Sequence, residues 1–153
     1  MITTIRNAAK AVVIEDGRVL LIKHGKNKVY YTFPGGGQEH NETLAECVQR
    51  ECLEEVGISV KVGDVLHVSE HIRDRHEEGH APLGFHQIDV FFKAEIDNSV
   101  PKIEASEMDD TQVSSEWIAI DDLMDYIVLP MCLRELIQAR NHNELRRVYL
   151  GDV

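Results

Sequence analysis

Cysteine is scarce: Cys47, Cys52 and Cys132 are the only three in a chain of 153 residues. Three thiols cannot close a disulfide framework, so reduced cysteines are expected, with Cys47 and Cys52 on one helix and pointing apart. No run of about 18 apolar residues is present, which excludes a membrane-spanning helix. Met1 to Lys10 lacks the apolar stretch of a secretory signal, so a cytoplasmic protein with no membrane partner is the expectation. Bases are outnumbered, 16 against 27 acids, leaving a formal net charge of −11. A chain so acidic is repelled by DNA, RNA and anionic membranes, which argues against a nucleic-acid partner. There is also no internal repeat and no low-complexity linker. Residues 1–153 therefore read as a single domain, long enough to bury roughly two-thirds of its unfolded surface.

The charge is unevenly placed. From Met1 to Gly35, Arg6, Lys10, Arg18, Lys23, Lys26 and Lys28 face only Glu15 and Asp16, a net +4. From Gly36 to Ile58, six glutamates face Arg50 alone, a net −5, and Glu104 to Asp125 carries eight acids and no base. A surface tuned only for solubility intersperses its signs. The β-rich runs Ala8–Glu15 and Arg18–His24 flank Asp16-Gly17, a strong hairpin signal. Val29–Phe33 reads as a short strand stopped by Pro34 and a glycine loop, Gly35-Gly36-Gly37. Helical periodicity runs from about Glu42 to Val56, with Asn41 as the expected N-cap and Gly57 as the stop. Strands are expected over about Asp64–Arg73, Phe85–Ile96 and Ser115–Ile120, and a C-terminal helical segment over about 121–141.

On the helix after the glycines, Leu44, Ala45, Val48, Cys52 and Val56 form a core-facing stripe. Glu51 and Glu55 lie at its edge, four residues apart, where like charges repel. A divalent cation is the partner that best suits such carboxylate oxygens. Glu46, Arg50 and Glu54, at successive i,i+4 spacings, read as a salt-bridge ladder in which Arg50 orients Glu54. The three glycines, lacking Cβ atoms, let backbone approach a ligand or metal closely.

The run Gly36 to Ile58, GGQEHNETLAECVQRECLEEVGI, resembles the signature of the Nudix hydrolases. Gly36, Glu42, Arg50, Glu51, Glu54, Glu55, Gly57 and Ile58 stand in register, and Cys52 replaces the usual larger aliphatic residue. Phe33-Pro34-Gly35-Gly36 upstream, and Trp117 with Asp121-Asp122-Leu123 downstream, extend the resemblance over most of residues 8 to 140. It implies an α/β/α sandwich with a mixed β-sheet and hydrolysis of a nucleoside diphosphate linked to another group. It also implies Mg2+ or Mn2+ held by Glu51, Glu55, Glu54 and a carbonyl near Gly36, with Glu54 as ligand or base. Glu54, Glu55 and Arg50 are then the catalytic candidates, joined by one downstream acid among Glu104, Glu107 and Glu116, of which Glu116 is carried forward. Lys23, Lys28, Tyr31, Gly35 and Gly37 are the substrate-binding candidates. Tyr30, Tyr31, Phe85 and Phe91 are aromatic rings able to stack a base. The partner implied is a small-molecule nucleotide or nucleoside diphosphate derivative, and a homodimer is an expectation from the same resemblance.

Two other readings compete. A Nudix-fold sensing module would bind a nucleotide without cleaving it, although it has no need of the full carboxylate set. His76-Glu77-Glu78-Gly79-His80 matches the zinc-protease pattern HExxH, which requires a helix. Gly79 and Pro82 argue instead for a polar hairpin loop. Markers of the subgroups acting on NADH, ADP-ribose, coenzyme A or dinucleoside polyphosphates are not found outside the box, and a nucleoside triphosphate or related nucleotide is the expected substrate.

Overall fold

Asp16 and Gly17 both adopt positive φ, 49° and 70°, as a two-residue hairpin turn requires. They join β1 (Arg6–Glu15) to β2 (Arg18–His24). The computed structural model describes residues 4–79, 81–106, 111–139 and 147–153. Further along come β3 (Tyr30–Thr32), β4 (Gly35–Gly37), α1 (Leu44–Val56), β5 (Val60–Ile72), β6 (His86–Ile96) and β7 (Gln112–Ala119). Then follow β8 (Val128–Leu129), α2 (Cys132–Ala139) and β9 (Tyr149–Asp152), with 3-10 turns at Arg73–Arg75 and Ile120–Asp125.

Beyond the hairpin tip the two strands part. β1 runs parallel to β6 and antiparallel to β4, while β5 pairs antiparallel with β6 and parallel with β9. β2 takes β3 and β7, both antiparallel, and β3 takes β8 in parallel. The outcome is a mixed, curled sheet. Period-two alternation distributes β1 and β2 between two cores. Ala9, Ala11, Val13, Leu20 and Ile22 face Cys47, Val48, Cys52 and Val56 of α1. Val12, Val19 and Leu21 face the other way, onto Leu123, Leu133 and Ile137 beside and within α2. Helical layers therefore cover both sides of the sheet, as an α/β/α sandwich demands.

The helix starts later than its periodicity suggests. Thr43, not Asn41, is the N-cap: its hydroxyl accepts from the Glu46 amide at 3.2 Å, and the Glu46 carboxylate accepts from the Thr43 amide at 2.7 Å. This reciprocal capping box outcompetes a lone Asn, and Asn41 sits just upstream at φ 66°. Thr43→Ala is expected to lower stability by about 1 kcal/mol, measured by denaturant unfolding. Cys47 and Cys52 are both fully buried, in one core, and the Cys47 thiol donates to the Gly36 carbonyl at 3.4 Å. The glycines read as a loop form β4 instead, because pairing with Ala8, Ala9 and Lys10 supplies the order that glycine lacks by itself. Helix is confined to a 3-10 turn and α2 within the expected 121–141 stretch, of which residues 140 and 141 lie outside the described residues.

Candidate active site

Pairing of β4 with β1 delivers Gly36 to the flank of α1, and α1 presents its glutamates there. A Cβ at Gly36 would collide with the Glu51 carboxylate, lying 2.7 Å from its Cδ. Glycine at 36 is therefore what allows Glu51 to lie against the strand. Gly36→Ala is expected to evict that carboxylate and to lower stability by about 1–3 kcal/mol while Thr43 still caps α1, checked by denaturant unfolding with circular dichroism as the fold control.

Arg50 is a hub: the expected i,i+4 rung to Glu54 forms, the one to Glu46 does not, and further partners join. Its Nε and Nη2 grip Glu42 in a fork at 3.0 and 2.7 Å, and Nη1 reaches Glu51 at 2.9 Å and Glu54 at 3.3 Å. Nη2 also donates to the Gly37 carbonyl at 3.1 Å, tying α1 to β4. Glu46, the expected first rung, is engaged by the helix cap instead. The Arg50 hydrogen bonds hold the Glu42 carboxyl down to about 2. One guanidinium thus pairs with four carboxylates, Glu39 at 3.8 Å being the fourth, which leaves the box net negative.

Glu55 is treated differently. It is 6% exposed, accepts from the Gly35 amide at 3.1 Å and from Gln112 Nε2 at 2.9 Å, and has burial as the main influence on its acidity. Burial pushes its carboxyl well above the usual carboxylate range, and Lys10 and the Gly35 amide oppose this while Glu51 adds to it. A buried carboxylate beside a second one is an environment that a cation would relieve.

The downstream acids separate. Glu116 joins Lys23 at 3.4 Å and the Tyr31 hydroxyl at 3.1 Å, so three of the expected site residues do come together, in a cluster on β2, β3 and β7. Tyr31 is not an exposed stacking ring. It is 6% exposed and packs edge-on against Tyr126, and burial together with Glu116 pushes its hydroxyl up to about 12. Phe91 is likewise core, edge-on to Phe33, and Tyr30 stacks on His24. Lys28 is exposed in the β2–β3 connection. Glu104 is exposed on a stretch pinned to the end of α1 through the Ile103 amide to the Gly57 carbonyl and the Ser106 amide to the Glu54 carbonyl. Glu107 lies outside the described residues.

Charged residues on β1 were missed by motif reasoning. Arg6 lies against Gly37, where a Cβ would be 2.6 Å from its Nε, and Lys10 Nζ donates to the Gly35 carbonyl at 3.4 Å. The β1–β6 register sets Arg6 beside Gln87 and Ala8 beside Asp89, and Gln87 donates to Asp89 at 2.8 Å. Burial raises the Asp89 carboxyl, with Lys10 opposing. The available signal was the alternation Arg6, Ala8, Lys10, Val12, which puts these bases on one strand face. The segment His76 to Gly79 follows a 3-10 turn and is not helical, so the zinc-protease geometry does not form; His80 lies outside the described residues.

The family model described as NUDIX domain matches residues 4–139. An ADP-ribose pyrophosphatase of Methanocaldococcus jannaschii is 39% identical over 75 residues, 48% of this chain and 44% of that protein. An NAD-capped RNA hydrolase of Vibrio atlanticus is 31% identical over 128 residues, 82% of this chain and 42% of that protein. The chain thus spans less than half the length of these two curated relatives. A crystal structure of a MutT NUDIX hydrolase from Burkholderia pseudomallei superposes with a TM-score of 0.66 at 25% identity, over 86% of this chain and 95% of that one. With the domain match extending across most of the chain, on this sandwich and this glutamate helix, the protein belongs to the Nudix family.

Proposed function

We propose that this chain is a divalent-metal-dependent pyrophosphohydrolase that cleaves a phosphoanhydride bond in a nucleoside diphosphate derivative. The observation that carries the reading is the charge imbalance at the box: Glu42, Glu51 and Glu54 share the Arg50 guanidinium, with Glu39 3.8 Å from it as well, while Glu55 is buried beside Glu51. Glu51, Glu54, Glu55 and the Gly36 carbonyl make an all-oxygen donor set, the chemistry that suits Mg2+ or Mn2+. The room left at Gly36 for the Glu51 carboxylate fits the same assignment.

When bound, the ion neutralises phosphate charge and acidifies a water for attack on phosphorus. The chain's own residues do the rest. Arg50 holds Glu51 and Glu54 in fixed orientations, and Glu54 is the carboxylate we assign to take the water's proton. Gly35 and Gln112 fix both oxygens of Glu55. Arg6, Lys10 and Lys23 supply positive charge to a polyanionic substrate. The two relatives' names both describe hydrolysis of a nucleotide-derived compound, which supports that substrate class here.

The test is a panel of nucleoside triphosphates, ADP-ribose and dinucleotides incubated with Mg2+ or Mn2+, with products separated by chromatography. The expected result is metal-dependent release of a nucleoside monophosphate or pyrophosphate from at least one compound. Tight nucleotide binding without turnover across the panel would favour a sensing module and overturn the proposal.

A further inference from the structure

His71, the penultimate residue of β5, His76, just past the 3-10 turn, and Asp152, in β9, come from three separate stretches of chain and meet at one point. One ligand atom from each lies within 4.8 Å of the other two, and all three residues are half-buried. The His71 and His76 rings stack, with centroids 5.0 Å apart and planes 15° from parallel. From this geometry we infer that His71, His76 and Asp152 form a binding site for a zinc-class transition metal ion, distinct from the carboxylate site of the box.

Three features support the assignment. Two imidazoles and a carboxylate are a mixed nitrogen and oxygen set, preferred by Zn2+ over Mg2+. The side chains are also oriented from behind, as ligating groups usually are. His71 Nδ1 donates to the Val153 main-chain oxygen at 3.0 Å, an atom that only accepts, which leaves Nε2 as the nitrogen able to face an ion. Asp152 Oδ1 is fixed by the Ile72 amide at 2.9 Å.

The third feature is the His76 contact, 2.9 Å from Nε2 to the same Asp152 oxygen. Without metal, a proton on Nε2 holds that pair together. On binding, the ring changes tautomer: one proton leaves Nε2, one is taken up at Nδ1, and the freed lone pair faces the ion. A simple His–carboxylate pair accounts for His76 and Asp152 alone. His71 adds a third donor atom within 4.8 Å of the other two, and the two stacked rings turn on binding so that both in-plane lone pairs meet one ion. The HExxH sequence thus contributes one ligand through its first histidine, while the other two come from neighbouring strands and not from a helix.

The test uses the full chain without a polyhistidine tag, titrated with Co2+ as a coloured substitute for Zn2+ in saturating Mg2+, so that the box is occupied. The expected result is one equivalent of Co2+ with visible absorption of a low-coordinate site, displaced stoichiometrically by Zn2+. His71→Ala and Asp152→Asn should each weaken binding by at least about 100-fold, since loss of an outer-shell partner alone costs 10–100-fold. Glu51→Gln should leave the cobalt spectrum unchanged. Should the His71 or Asp152 variants fail to fold, NMR of the wild-type histidine side chains decides: Zn2+, but not Mg2+, should shift the His71 and His76 ring signals. Absorption that disappears in Glu51→Gln, ring signals that ignore Zn2+, or no stoichiometric binding would each overturn the inference.

Discussion

Arg50→Ala is expected to destabilise the fold by about 2–3 kcal/mol and to remove most activity in the same step. The guanidinium is 23% exposed and its partners Glu42, Glu51 and Glu54 are 14%, 16% and 25% exposed. Removing one partner of a fully buried pair costs about 3–5 kcal/mol, and partial solvent access lowers that figure here. The loss extends beyond one ion pair, because the Gly37 carbonyl loses its donor and β4 its tie to α1. Arg50→Lys should recover little, since an ammonium cannot form the two-pronged grip on Glu42 while reaching Glu51 and Glu54. Added Mg2+ should raise the melting temperature of Arg50→Ala more than that of the wild type, because the ion takes over neutralisation that the guanidinium supplies. Thermal unfolding with and without Mg2+ measures this, and an equal rise in both proteins would show that Arg50 does not balance the box.

Legibility in the sequence followed the range of the interactions involved. The hairpin at Asp16-Gly17 and the stop at Gly57 are local, set by residues that tolerate positive φ, and both stood where expected. The box register was equally legible, because helical spacing alone puts Glu51, Glu54 and Glu55 on neighbouring positions. What failed depended on partners distant in the chain. β4 exists because β1 pairs with three glycines that have no strand preference of their own. β9 is four residues long and exists through its pairing with β5. Spacing of i,i+4 finds the Arg50–Glu54 pair but not Glu42, which reaches Arg50 from the turn before the helix. Arg6 and Lys10 carry no motif at all; only the β1–β4 and β1–β6 registers bring them to Gly37, Gly35 and Asp89.

Glu55→Gln should separate activity from stability, raising one while lowering the other. The substitution keeps shape, and the Gly35 amide retains an acceptor, but the charge proposed to hold the ion is lost from the box. Hydrolysis should fall by about 10²–10⁴-fold, the range for removing a positioned acid–base group or its equivalent. The metal-free fold should respond in the opposite direction. Burial is the largest influence on the Glu55 carboxyl and raises it in the folded state above its ordinary value of 4.5. Between the ordinary and the raised value the folded protein therefore binds more protons than the unfolded chain, so this residue makes stability decline as pH rises. Glutamine has no such proton. The stability difference between Glu55→Gln and wild type, without divalent metal, should accordingly grow in favour of the variant as pH climbs from about 4.5, and level off above the raised folded value. Saturating Mg2+ should shrink or reverse that gap in wild type, because a bound cation favours the ionised carboxylate. Denaturant unfolding across pH, with chelator and then with Mg2+, reads both effects. A gap that ignores pH, or a variant that keeps wild-type turnover, would show that Glu55 is an ordinary buried acid with no part in holding the ion.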